Sequence, residues 1–270
     1  MLTLLLLAVF AWEPPGKYVV LVDPGPDGAF RPAAEALARF HRGEVLNFSS
    51  QGLPAAMALL TARQPDFVAF VLPPDQLDVD LVHQIMEMST QLDDDPFVDF
   101  EFGFITGRDG PAARRFVERI VAAWQTKPGR SAGLFGSWEG PTLPPRSRLT
   151  AFQALGMDAD SRYVPMQGPP ADRAVRARAA LADLAKKDAL LFFSHGYPDE
   201  MVGCFKAKEL RDWQVELKPA LLVSCACYNG APGRWFAPGA DGSPRVQPAP
   251  APADSICLQL LESGPPALIA

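Results

Sequence analysis

The stretch "ALLFFSHGYPDE", Ala189–Glu200, sets five apolar residues directly against Ser-His-Gly and a tight polar turn. A run of that length without polar alternation reads as a strand covered on both faces. Similar runs recur at Tyr18–Val22, Phe67–Leu72, Phe100–Ile105, Ala132–Gly136, Ala220–Val223 and Ala267–Ile269. Between them lie stretches of helical period. Ala113, Phe116, Val117, Ile120, Val121 and Trp124 form one apolar stripe, Val82, Ile85 and Met86 mark a second, and Ala174, Ala177, Leu181 and Leu184 a third. Strands alternating with helices predict an α/β protein with a mainly parallel sheet. The Gly- and Pro-rich stretch Thr126–Arg146 suggests a boundary, with one α/β subdomain over 12–128 and a second over 129–270.

In such sheets, catalytic groups and ligands sit at the carboxyl ends of strands. His195 stands at one such end. The stretch "PALLVSCACYNG", Pro219–Gly230, repeats the design: an apolar run, then a sharp polar turn with a cysteine at its tip. If the two strands are neighbours, an imidazole and a thiol can reach one substrate, the arrangement that thiol catalysis requires. A thiolate is the attacking species, and a nearby histidine or a helix N-terminus is the means of holding it. Backbone N–H groups at Gly196 and Cys227 would then receive the oxyanion of a tetrahedral intermediate.

These residues resemble the caspase-like cysteine peptidases, and among them the gingipain type. Members of that group end one strand in His-Gly and a later one in a catalytic Cys. Here His195-Gly196 precedes Cys227 by 32 residues, and Cys227-Tyr228-Asn229-Gly230 is similar to the turn at the family's nucleophile. "ADSICLQLLESGPPALIA" is similar to the helix and strand that follow, and "DDPFVDFEFGFITG" to the end of the N-terminal subdomain. The resemblance implies a three-layer α/β/α sandwich of two side-by-side subdomains. It implies a cysteine endopeptidase acting on protein or peptide substrates, with no cofactor. Cys227 would be the nucleophile, preferred to Cys225 for the Gly three residues after it, and His195 the imidazole that protonates the leaving amine. Gingipain-type pockets pair a carboxylate with a substrate Arg or Lys, so Asp94, Asp95, Asp99, Asp199 and Glu200 become candidate specificity residues. Two departures are notable. A proline-rich insertion, Ala231–Ala253, follows the nucleophile turn, where it would act as a lid, and family members continue beyond the position of Ala270 to complete the pocket.

Composition narrows the alternatives. A net charge of −6 and a pI near 5.1 argue against a nucleic-acid-binding face, which draws its affinity from clustered Lys and Arg. No Gly-x-Gly-x-x-Gly or P-loop pattern implies a nucleotide. Serine hydrolases, which hold their nucleophile at a Gly-x-Ser-x-Gly elbow, are set aside. A metal site would draw on His195, Cys204, Cys225 and Cys227, but Cys-x-Cys lacks the spacing that wraps zinc. A Cys204–Cys225 disulfide would leave Cys227 free. His41 and His83 read as helix-surface residues. "MLTLLLLAVFA", residues 1–11, is too short to span a bilayer and reads as a signal peptide, which implies a secreted or cell-envelope protein. The rival to an enzyme is an inactive caspase-like domain kept as a binding or scaffolding module. Oligomeric state leaves no trace in the sequence.

Overall fold

The computed structural model describes residues 16–25, 27–49, 52–126, 129–137, 145–218, 221–227, 229–239 and 241–269. Residues 1–11, read above as a signal peptide, lie outside them, as do Tyr228 and residues 138–144. By their own contacts the described residues form two units: 16–121 with 231–253, and 122–230 with 254–269. Chain order alone had set 231–253 within the second subdomain.

The first unit carries a parallel sheet of β1 (Tyr18–Val22), β2 (Glu44–Asn47), β3 (Phe67–Val71) and β4 (Glu101–Ile105), in the order β2-β1-β3-β4. Its helices are α1 (Arg31–His41), α2 (Leu53–Arg63), α3 (Val79–Met88) and the start of α4 (Gly110–Trp124). Period-two geometry sorts the strand residues by face. Val19, Leu21, Val68 and Phe70 pack with Leu60 of α2 and with Leu81, Ile85 and Met88 of α3. The alternate residues Val20, Val22, Ala69 and Val71 are also buried, and α1 runs along this sheet with Ala33, Ala34, Leu37 and Ala38 inward. Met86, expected in the buried stripe of α3, is 52% exposed, and Leu81 and Met88 take the inward positions. In α4 the stripe is buried at Ala113, Phe116 and Val117 and fades to an exposed Trp124.

Residues 231–253 form the antiparallel hairpin β12 (Trp235–Pro238) and β13 (Pro244–Gln247), anchored to the start of α3. The Gly233 N–H donates to the Leu77 carbonyl at 3.1 Å. Arg234 donates from Nε and Nη2 to Asp78 Oδ2 at 3.0 and 2.6 Å, while Asp78 Oδ1 caps α3 through the Leu81 N–H.

The second unit holds five parallel strands in the order β14-β11-β7-β5-β6: β5 (Ser131–Ser137), β6 (Asp158–Val164), β7 (Ala189–Phe193), β11 (Leu221–Ser224) and β14 (Leu268–Ile269). Phe135, Leu190, Phe192 and Leu222 pack on one face with α6 (Pro170–Leu184), α7 (Ala207–Trp213) and α8 (Ile256–Glu262). Ala132, Leu134, Ala189, Leu191 and Leu221 pack on the other with Phe152 of α5 (Pro145–Ala154). The fold is the expected α/β class, with helical layers on both faces of a parallel sheet. A small antiparallel sheet, β8 (Gly196–Tyr197), β9 (Glu200–Met201) and β10 (Phe205–Lys206), follows β7. β2, β6 and the short antiparallel strands were not anticipated. The first two are edge strands in which one flank needs no apolar cover, so their sequences lack the unbroken apolar run.

Candidate active site

β7 and β11 are hydrogen-bonded parallel neighbours, with Ser224 opposite Phe192. The ladder extends one step further, since the Cys225 N–H donates to the Phe192 carbonyl at 2.8 Å. His195 and Cys227 therefore stand at the same carboxyl edge of the sheet, each three residues past a paired position. The chain beyond β11 turns at once: the Asn229 N–H donates to the Ala226 carbonyl at 3.4 Å and the Ala226 N–H to Ser224 Oγ at 3.4 Å. His195, Cys225 and Cys227 are exposed, whereas Ser224 and Asn229 beneath them are buried.

Gly196 is pressed against that turn. A Cβ on it would collide with the Asn229 carboxamide, and would stand 2.6 Å from the Cys227 carbonyl oxygen and 2.9 Å from Ala226 Cβ. The His-Gly strand end and the Cys turn are thus in backbone contact, and only glycine permits it. The Val202 N–H donates to the His195 carbonyl at 2.8 Å, which makes Gly196–Met201 the next, non-hydrogen-bonded pair of the β8–β9 ladder. In that position the Gly196 N–H points away from β9.

Behind His195 lies a buried polar knot. Ser137, at the end of β5, and Ser194 lie with their hydroxyls 2.9 Å apart, and both donate to the Val202 carbonyl at 2.6 Å. Burial pushes the Cys204 thiol up to about 12, and the neighbouring Ser137 and Ser194 hydroxyls oppose that shift without offsetting it. Burial does the same to Cys257. All four thiols are free, and with Cys204 buried and Cys225 exposed no disulfide joins them. Among the described residues no cluster of three or more His, Cys, Asp or Glu side chains is placed to hold a metal.

The candidate carboxylates fall in different places. Asp199 and Glu200 lie in the β8–β9 turn, and Glu200 Oε2 is 3.6 Å from Lys206 Nζ on the adjacent β10. Asp94, Asp95 and Asp99 belong to the first unit. Asp95 Oδ1 accepts from the Phe97 N–H and Asp99 Oδ2 from the Leu92 N–H, so both help hold their own loop closed, while Asp94 is exposed. His41 stacks on Tyr18 with ring centres 4.1 Å apart, and His83 is exposed on α3. The Gly-x-Ser-x-Gly pattern of the serine hydrolases set aside above does occur, in the letters Gly129–Gly133. Ser131, however, opens β5 rather than ending it, and its hydroxyl donates to Asp188 Oδ2 at 2.5 Å, so it is no nucleophile elbow. Sequence reasoning gave no role to Ser137, Ser194 or Asn229. Only Asn229 had a local signal, its place in the Cys-x-Asn-Gly turn.

No family model and no curated protein matches this sequence. A solved structure described only as that of a protease is similar in fold, with a TM-score of 0.59 at 11% identity. The likeness covers 95% of this chain and 59% of the solved one, so the chain spans well under two thirds of that protein's length.

Proposed function

We propose that the protein is a cysteine peptidase of caspase-like, gingipain type, in which Cys227 and His195 hydrolyse peptide bonds. The observation that carries the reading is the pairing of β7 with β11, which sets His195 and Cys227 at equal offsets on one sheet edge with Gly196 seated against the Cys227 turn. The fold likeness to a protease supports it. In the reaction the Cys227 sulfur attacks the carbonyl carbon, and the carbonyl oxygen becomes an oxyanion facing the N–H groups of Gly196 and Cys227. The C–N bond then breaks as the His195 imidazolium gives its proton to the leaving amine. Water, deprotonated by the neutral imidazole, hydrolyses the thioester and restores the thiol. Selection of Arg or Lys before the cut would fall, within the unit that carries the pair, to the acidic residues Asp199 and Glu200. Of these, Glu200 already faces Lys206, so Asp199 is the stronger candidate within the β8–β9 turn. The apolar segment 1–11 favours export as the setting in which peptides are met.

Iodoacetamide labelling between pH 6 and 8, read by peptide mass, tests the reading without a known substrate. Native protein should react at exposed Cys225 and Cys227 and spare buried Cys204 and Cys257. His195→Ala should slow the reaction at Cys227 near pH 6 by about tenfold or more while leaving Cys225 unchanged. A Cys227 rate indifferent to His195 would sink the peptidase and favour a non-catalytic binding module.

A further inference from the structure

Asn229 is 1% exposed, and a buried carboxamide must find partners for two donors and an acceptor. Its orientation follows from its neighbours. With the NH2 group toward the β8–β9 turn, it donates to the Tyr197 carbonyl at 3.0 Å and to the Glu200 carbonyl at 3.3 Å. The reverse orientation would set its oxygen against those two carbonyl oxygens. The two acceptors flank Pro198 and Asp199, in the hairpin that begins with Gly196. That hairpin is held from a second direction, since the Ile256 N–H at the start of α8 donates to the Pro198 carbonyl at 2.7 Å. On its other side, the Asn229 N–H closes the turn that carries Cys227.

From this geometry we infer that Asn229 is a positioning residue for the thiol site: its carboxamide staples the Cys227 turn to the hairpin that leads from His195, fixing the distance from sulfur to imidazole and the aim of the Gly196 N–H. The inference rests on the peptidase reading and adds a residue that touches no substrate. Backbone pairing alone does not do this, because among the described residues the β7–β11 ladder reaches no further than Cys225. Asn229 fills that gap. Side chains that fix a reacting pair indirectly act on rate rather than on affinity, since an ångström of misplacement costs about 100-fold.

The test uses the full chain and the rate of iodoacetamide addition at Cys227 from pH 6 to 8. Asn229→Ala removes both donors. Asn229→Asp keeps the shape but turns acceptors toward the carbonyls, and it supplies the answer if the alanine variant fails to fold. Folded variants, checked by circular dichroism, should show the slow pH profile of His195→Ala, and adding His195→Ala to either should change nothing more. A merely structural asparagine would lower the melting temperature and leave the profile as in the wild type, which overturns the inference while the peptidase stands. If the wild-type profile itself does not depend on His195, reading and inference fall together.

Discussion

Gly196 shows how one missing methyl group can decide a site. The sequence offered a local reason for this glycine, a bare N–H beside a scissile carbonyl. The structure supplies a long-range one, because the turn thirty residues later packs where a Cβ would be. The reason was illegible in the sequence, since it depends on β7 and β11 being neighbours. Gly196→Ala should therefore cost about 1–3 kcal/mol in urea unfolding, the usual penalty for overpacking, because the Cys227 carbonyl oxygen and Ala226 Cβ have no side-chain rotation by which to move away. It should also abolish the dependence of Cys227 alkylation on His195. A stable variant with wild-type alkylation would show that the two turns are not in contact.

At the scale of elements, what was legible followed burial. Central strands β7 and β11 announced themselves as unbroken apolar runs because both faces are covered, and so did the inward stripe of α4 over its first half. β6, reading "DADSRYV", hid because it is an edge strand, and the β12–β13 hairpin hid because what holds it comes from 156 residues away. Asp78 ties that hairpin down while also capping α3, two duties for one carboxylate of 7% exposure. Asp78→Ala should cost about 1 kcal/mol through the lost cap, and more if Arg234 finds no other partner. Arg234→Ala keeps the cap and removes the tether. It should leave the urea midpoint nearly unchanged while speeding tryptic cleavage at Arg245. Equal loss of stability in both variants would mean that the ion pair, rather than the cap, is what Asp78 contributes.

For the whole molecule, the two buried thiols set an alkaline limit. Cys204 and Cys257 are each pushed from near 9 up to about 12 by burial. The folded protein keeps protons that the unfolded chain releases, so their contribution is fully present below pH 9 and declines as pH rises toward 12. Urea midpoints measured from pH 7 to 10.5 should stay level and then fall, and Cys257→Ala should flatten the fall even if it lowers the plateau. A midpoint that fell as steeply in the alanine variant would assign the alkaline loss to other groups. The candidate site was legible at this scale only in outline. His-Gly and the Cys turn could be read from strand ends, but the buried groups that hold them, Ser137, Ser194 and Asn229, are scattered in sequence and ordinary in type.

The anchoring of residues 231–253 also imposes an order on assembly. The first unit's parallel sheet and helices α1–α3 are synthesised by Val121, yet the guanidinium that neutralises Asp78 lies more than a hundred residues downstream. At ribosomal rates of about 5–20 residues per second, that interval is roughly 5–20 seconds. During it, the nascent unit holds a carboxylate without its ion-pair partner and a Leu77 carbonyl without the Gly233 N–H. The chain must translate β7, His195, β11 and Cys227 before it can finish the unit it began with, so the last contacts of the first unit close only after both halves of the thiol pair have been made.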